Sequence, residues 1–506
     1  MIMKWDGEKL ATRGLAVLIA YAAVRSVFGA ASKPFWYDEL CTVAIARQPG
    51  ISAIWKALEH AADSHPPLYY SLERFAGSLL PNQHIALRLP SILGFCCIVL
   101  CVFIFVRKQS GAVYALLCSA LLLMSTFYDP YAMEARGYAL MSACVALALV
   151  CYQRVDRIQW VLLMGLSLAA AGAFQYYAVC ALFPFVIAEG AFFLQTRRLR
   201  LGVWAALACG MLPLIVFWPL LSLFRKYYGA QTQLWARPSL TGVSSVFGWF
   251  FNLSPSWGIA VTATASLGVV AIMASEYVIE DSDSREMPDL FHEKVLVLGL
   301  LALPLAVFVA MKIMNGALTE RYMLPAALGL PLAAGYMLPR FDRRLVALFG
   351  VLLCFGLAAH EASFWLSQRH HLGKVISPAQ DAEELVNKAG HRDLPVVVSD
   401  PLGYLELVYY GSPAWVTRLV DVFDASQADQ LPILRSYVPL QVYEFHDFVA
   451  KHPEFLLYST GGTWDSWPAR LVDGGYVLRL VAIRGNHRVY HVSTKADVRG
   501  SDLKVP

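Results

Sequence analysis

The chain has 506 residues, of which 58% are hydrophobic, 13% aromatic and 15% charged, with a mean hydropathy of +0.51. A composition so apolar and so poor in charge excludes a water-soluble fold at this length. The formal charge is only +4, and the basic residues are scattered rather than gathered into a stripe, which argues against a nucleic-acid surface.

Apolar stretches recur near 13–30, 85–107, 111–127, 136–152, 158–174, 176–195, 201–223, 257–278, 294–313, 317–338 and 344–366. A bilayer needs about 20 residues per helix, so these predict a polytopic α-helical membrane module of about eleven spans over 1–366. The first stretch has no small-residue cleavage site and reads as a retained helix. The cysteines from Cys96 to Cys354 sit in apolar runs with no CxxC pair and no metal spacing, and read as small core hydrophobes.

Short loops rich in Lys and Arg stay in the cytoplasm. If the spans alternate, Lys4, Lys9 and Arg13, then Arg107 and Lys108, Arg154 and Arg157, Arg197, Arg198 and Arg200, and Arg340, Arg343 and Arg344 all fall on one side. This puts the N-terminus in the cytoplasm, and 31–84, 128–136, 224–256, 314–321 and everything after 366 outside it. The parity requires 66–80 to be a surface or re-entrant element, with Glu73 and Arg74 at the interface. It also places the acidic loop 279–293 on the cytoplasmic side.

From 367 to 506 the composition turns soluble, and the runs LPVVVSD (394–400), EFLLYST (454–460) and YVLRLVAIRG (476–485) read as strands. Between them PAQDAEELVNKAG (378–390) has acids in its first turn, Lys388 late and Gly390 as a stop, which predicts a helix. An extracytoplasmic α/β or α+β domain follows. No internal repeat and no low-complexity linker is present.

Three external segments carry chemistry-bearing residues. The first holds FWYDEL, with Asp38 and Glu39 beside Trp36 and Tyr37, and then DSHPPLYY, with Asp63 and His65 before a rigid Pro66-Pro67 pair. An aromatic anchor with two solvated acids, and a histidine satisfied at the interface, are the plain alternatives. The second, YDPYAMEARGYAL, sets Glu134, Arg136 and Tyr138 at the head of a span, where Glu134 and Arg136 could simply pair. The third, LTERYMLPA, sets Glu320, Arg321 and Tyr322 at the external end of 317–338. Two arginines at helix ends on one face suit a phosphate or diphosphate, which guanidinium grips with paired charged hydrogen bonds.

Taken in order and in these topological places, FWYDEL, HPPLYY, EARGY and TERYMLPA resemble the membrane glycosyltransferases of the C-type fold. The resemblance runs over about 10–365, toward the branch of protein O-mannosyltransferases, lipid A aminoarabinose transferases and rhizobial lipopolysaccharide-core sugar transferases. It implies inverting transfer of a sugar from a polyprenyl-phosphate carrier to an acceptor hydroxyl on a glycolipid, polysaccharide or protein, at the external face of a bacterial inner membrane. By the same resemblance Asp38 matches the catalytic base and Arg136 an arginine that holds the donor phosphate. Glu39, His65, Glu134, Arg321 and Tyr322 match pocket positions whose roles vary, and a divalent cation is left open because some relatives use one. The residues fit this chemistry independently. One carboxylate at the membrane surface serves as base, and a phosphate leaving group needs positive charge more than a proton donor.

A lipid or glycan transporter or flippase is the rival from another class. Transporters place ionisable groups at the midplane or break helices there. Here the spans 85–107, 111–127, 158–174 and 201–223 have no charge in their middles. A non-catalytic membrane scaffold displaying its soluble domain is a second rival. Asn252-Leu253-Ser254 forms a glycosylation acceptor that would matter only in a eukaryote.

Overall fold

The computed structural model describes residues 7–280, 291–314, 316–369, 375–425, 430–462 and 465–494. Most of the loop 279–293 lies outside these residues. The chain divides into two compact units, Met1–Ser32 with His65–Gly373, and Lys33–Ser64 with Lys374–Pro506. The second unit therefore takes in the first extended loop, which the sequence reading assigns to the membrane module, together with the C-terminal domain.

The first unit is all helical. Seven of its described helices are long and apolar enough to cross a membrane: Gly7–Ser32, Leu89–Ser110, Tyr176–Thr196, Pro255–Glu276, Phe291–Met314, Glu320–Arg340 and Arg343–Gln368. An eighth is the pair Leu201–Val216 and Trp218–Tyr228, bent by 54°. The bend follows Pro213, which removes a backbone donor from the ladder just before the break at Phe217. Three further apolar helices, Ala112–Leu123, Tyr138–Tyr152 and Ile158–Phe174, are shorter than a span requires. The expected count of about eleven is thus not reached by length. Several apolar runs spend part of their residues in turns and 3-10 segments instead of in continuous α-helix. The chain is an integral membrane protein.

Burial separates lipid-facing from interior positions. Leu162, Leu166, Leu267 and Phe355 project from the bundle, whereas Ile98, Cys118, Leu300 and Leu328 are fully enclosed. Without a hydrophobic force between helices in lipid, close approach of backbones matters. Gly94 provides one such approach, since a Cβ there would lie 3.1 Å from the Ala139 carbonyl carbon. Helix Pro67–Gly77 has 11 residues, too short to cross at about 1.5 Å per residue, as the surface or re-entrant reading expects. Its Glu73, however, is fully buried and not at a solvated rim.

Charged side chains collect at the two ends of the bundle. At one end Arg107 bonds Glu8, Arg200 bonds Glu189, and Lys294 and Arg340 share Glu276. Glu293 there accepts from Gln153 at 3.0 Å and Gln109 at 3.1 Å. At the opposite end lie Asp129–Ala132, the head of Tyr138–Tyr152, and the 3-10 segments Tyr176–Leu182 and Glu320–Leu328.

The second unit has a six-stranded sheet made of β1 (Val396–Val398), β2 (Leu419–Phe423), β3 (Val442–Glu444), β4 (Glu454–Ser459), β5 (Val477–Arg484) and β6 (His487–Ser493). The order is β3-β2-β1-β4-β6-β5, parallel through β4 and antiparallel beyond it. The three expected strand runs form β1, β4 and β5, and the expected helix spans Pro378–Ala389, with Ser377 accepting from the Ala379 N–H. Helices Tyr37–Ala46 and Ile51–Glu59 complete this unit. They are tied to it by Phe35 N–H donating to Tyr410 Oη (2.7 Å) and by His60 Nδ1 meeting Tyr437 Oη (2.6 Å).

Candidate active site

In the helical unit the predicted residues converge on Tyr138. The segment before it turns sharply because Pro130 starts a four-residue helix, Asp129–Ala132, that cannot continue. Two hydrogen bonds then hold its flanks. Tyr128 Oη donates to the Leu324 carbonyl at 3.0 Å, and Ser91 Oγ donates to the Arg136 carbonyl at 3.1 Å. The helix Tyr138–Tyr152 begins at Gly137, where a Cβ would stand 2.6 Å from the Phe174 carbonyl oxygen and 3.4 Å from His65 Cδ2. Only glycine admits that approach.

Arg321 Nη1 donates to Tyr138 Oη at 3.2 Å, with its guanidinium 5.6 Å from the ring centroid. This contact joins EARGY to TERY, residues 183 positions apart in sequence. His65 is buried, with its ring 5.4 Å from Tyr138 and 5.3 Å from Tyr69, its backbone N–H on Tyr70 Oη (3.3 Å) and its Nε2 3.5 Å from Gln175 Nε2. Tyr322 stacks on Tyr177 with centroids 3.5 Å apart and planes 10° from parallel. Glu134 and Arg136 are buried, and Glu320 and Arg321 are half-buried.

Tyr131 packs edge-on against Tyr138 at 5.5 Å. Burial pushes its phenol above the ordinary value; Glu320 and Glu134 push it further, and Arg321 draws it back. Both carboxylates therefore act on one phenol that stays protonated and able to donate. Tyr131, Gln175 and Tyr177 were not among the predicted site residues. The polar QYY break between the runs 158–174 and 176–195 is the signal that points to the last two. Arg88, also missed, is fully buried with Nη1 on the Ala30 carbonyl at 2.7 Å.

Asp38 and Glu39 lie in the second unit, in the first turn of helix Tyr37–Ala46. Glu39 is completely buried, and its Oε2 accepts the Trp36 N–H at 3.3 Å, so its carboxylate reaches back over the helix start. Asp38 is half-buried, and its carbonyl accepts from Thr42 Oγ1 at 3.2 Å. Arg25 is taken up by Asp129, at 2.9 Å on both carboxylate oxygens, and by Glu361 at 2.7 Å. Among the described residues no group of three or more His, Cys, Asp or Glu side chains is placed to hold a metal ion.

The chain has the C-type fold that solved membrane glycosyltransferases share. Residues 64–223 match the family model of dolichyl-phosphate-mannose-protein mannosyltransferase, a stretch that contains HPPLYY and EARGY but neither FWYDEL nor TERYMLPA. The structure is similar to ArnT from Cupriavidus metallidurans in the apo state, with a TM-score of 0.58 and 14% identity over 95% of this chain and 98% of that one. ArnT bound to undecaprenyl phosphate aligns with a TM-score of 0.54 and 14% identity over 94% and 98% of the two chains. The Archaeoglobus fulgidus oligosaccharyltransferase in complex with Zn and sulfate aligns with a TM-score of 0.51 and 13% identity over 95% of this chain and 73% of that one. No curated protein matches the chain in sequence.

Proposed function

We propose that the protein is a glycosyltransferase that takes a sugar from a polyprenyl-phosphate donor and transfers it, with inversion, to an acceptor hydroxyl at the extracytoplasmic face of a bacterial inner membrane. The observation that carries this reading is the Arg321–Tyr138 hydrogen bond. It sets one arginine beside the segment that bears another, Arg136, at one end of a lipid-embedded bundle. A departing phosphate gathers negative charge, and guanidinium groups held in place before the reaction stabilise it without reorganising. The match to a dolichyl-phosphate-mannose-dependent family and the fold shared with an undecaprenyl-phosphate-binding protein support the donor class.

In this reading Arg136 and Arg321 hold the donor phosphate, and Tyr138 orients Arg321 through its hydroxyl. Asp38 accepts the proton of the attacking hydroxyl. That role rests on its place in FWYDEL and on the reach-back contact that gives Glu39 a structural task. The N-terminus is cytoplasmic and the C-terminal domain of 367–506 is periplasmic, in keeping with the clustering of the Lys- and Arg-rich helix ends at one end of the bundle. The acceptor is a glycolipid, polysaccharide or protein.

The test is transfer of a sugar from a synthetic polyprenyl-phosphate donor by membranes containing the wild-type chain or Arg136→Ala. It is paired with mass spectrometry of envelope lipids, polysaccharides and glycoproteins with and without the gene. One missing sugar and an inactive Arg136→Ala are expected. An unchanged glycan profile together with no transfer by wild-type membranes would overturn the reading in favour of a lipid or glycan transporter, and normal turnover by Arg136→Ala would remove that arginine from the donor site.

A further inference from the structure

The buried ion cluster around Arg25 does more than tie helices together. Arg25 Nη1 and Nη2 each donate at 2.9 Å to the two oxygens of Asp129, its Nε donates at 2.7 Å to Glu361 Oε2, and its plane lies 4.0 Å from the Phe364 ring centroid. His360 Nε2 stands 3.1 Å from Asp129 Oδ2. Such a cluster is costly to bury and is made only where its geometry is closely satisfied.

Two of its bonds already join helix Gly7–Ser32 to helix Arg343–Gln368 without Asp129. Tyr21 Oη donates to Glu361 Oε2 at 2.6 Å, and Trp365 Nε1 donates to Tyr21 Oη at 2.9 Å. Asp129 meets both helices, Arg25 on one and His360 on the other, at a junction that is already made without it. What it anchors is its own four-residue turn, Asp129–Ala132, which is too short to hold a helical conformation by itself. The residues that follow directly are Tyr131, Glu134, Arg136 and Tyr138.

We propose that Asp129 is a positioning residue: clamped by the Arg25 fork, it fixes the 129–136 segment so that Arg136 and Tyr138 are held in register for the donor phosphate. The proposal rests on the donor reading above. Charge-assisted, two-pronged pairing gives the turn a defined orientation as well as an attachment, which a single contact would not. Tyr128 and Ser91 hold the backbone at either flank, and Asp129 fixes the turn between them.

The test uses the full chain in lipid nanodiscs, with undecaprenyl phosphate as the probe, and two readouts. Amide hydrogen exchange over 130–137 should rise in Asp129→Asn. Glu361→Ala, which removes the bonds from Tyr21 and Arg25 to Glu361 but leaves the fork on Asp129, should leave it unchanged. The dissociation constant should rise about tenfold in Asp129→Asn, the scale at which residues off the ligand modulate binding. The double variant Asp129→Asn/Arg136→Ala should bind no more weakly than Arg136→Ala alone, because one residue acts through the other.

Unchanged exchange over 130–137, or strictly additive losses in the double variant, would overturn the proposal. Normal binding by Arg136→Ala with raised exchange in Asp129→Asn would instead overturn the donor reading and leave Asp129 as an anchor of the turn. Should Asp129→Asn fail to fold, Arg25→Lys keeps the charge but loses the fork, and carries the same expectations.

Discussion

Arg321 donates to the hydroxyl of Tyr138 at 3.2 Å, so the guanidinium of one motif is aimed by the phenol of another. Tyr138 in turn packs on His65 and Tyr131, and this aromatic cluster fixes its hydroxyl in space. Replacing Arg321 with Lys keeps the charge and loses the fork. The KM for a polyprenyl-phosphate sugar should rise by about tenfold, with a smaller rise for Tyr138→Phe. Steady-state transfer kinetics on both variants check this; equal KM values in Arg321→Lys and wild type would contradict it.

The two adjacent carboxylates of FWYDEL should part company on mutation. Asp38→Asn keeps shape and removes proton affinity, so transfer should fall by roughly 10²-fold, the usual contribution of a positioned base, with donor binding retained. Glu39→Ala removes the acceptor for the Trp36 N–H and should cost about 0.5–2 kcal/mol of stability, the range for a lost helix-start contact. Thermal unfolding and transfer assays on both variants separate the roles. If Glu39→Ala is stable and inactive while Asp38→Asn is active, the assignments are exchanged.

Gly137→Ala tests the close approach at the head of the helix. The added methyl would meet the Phe174 carbonyl at 2.6 Å, and backbone must shift to relieve it. Overpacking of this kind costs about 1–3 kcal/mol and displaces Arg136 and Tyr138 on either side. A lowered unfolding temperature together with a raised donor KM is expected. Gly50→Ala, where the added Cβ meets nothing within 4 Å, is the control.

Glu406, on helix Pro401–Tyr410, gives a pH signature. Burial raises its carboxyl to about 7. The folded state therefore keeps a proton that the unfolded chain, titrating at the ordinary value near 4.5, has lost. The unfolded state binds fewer protons in this window, so stability falls as pH rises from about 4.5 to about 7 and is level above it. Unfolding scans across this range should show the decline in wild type and a flatter profile in Glu406→Gln.

The proposed orientation rests on the parity of the Lys- and Arg-rich helix ends. A reporter fused after residue 370 should be active only outside the cytoplasm, and one fused after Arg200 only inside. A cytoplasmic signal after 370 would reverse the assignment of every external segment.

Much of this was legible in the sequence because bilayers impose length and polarity on individual segments. The run LPSILGFCCIVLCVFIFV had no alternative to an apolar helix, and Leu89–Ser110 is one. The short spans were harder to read. The break at Gln175 between the runs 158–174 and 176–195 is marked in the sequence, but that Tyr176–Leu182 winds as a 3-10 segment before the α-helix resumes is a local conformation that hydropathy does not encode. The division of the chain was also hidden. Residues 33–64 fold with the C-terminal domain through contacts such as Phe35 with Tyr410, more than three hundred positions apart.

By itself the sequence determined that the protein lives in a membrane, that its ionisable residues gather at helix ends, and that Asp38, His65, Arg136 and Arg321 are worth attention. Composition and spacing report the solvent each segment requires, and that is a local property. Only the tertiary structure decided which of these groups meet. It turned Glu39 onto the Trp36 N–H, committed Arg25 to Asp129 and Glu361, and set Arg321 against Tyr138. Side-chain partnership depends on helix rotation and on the packing of aromatic neighbours such as Tyr131 and Tyr177, and no one-dimensional pattern carries that information.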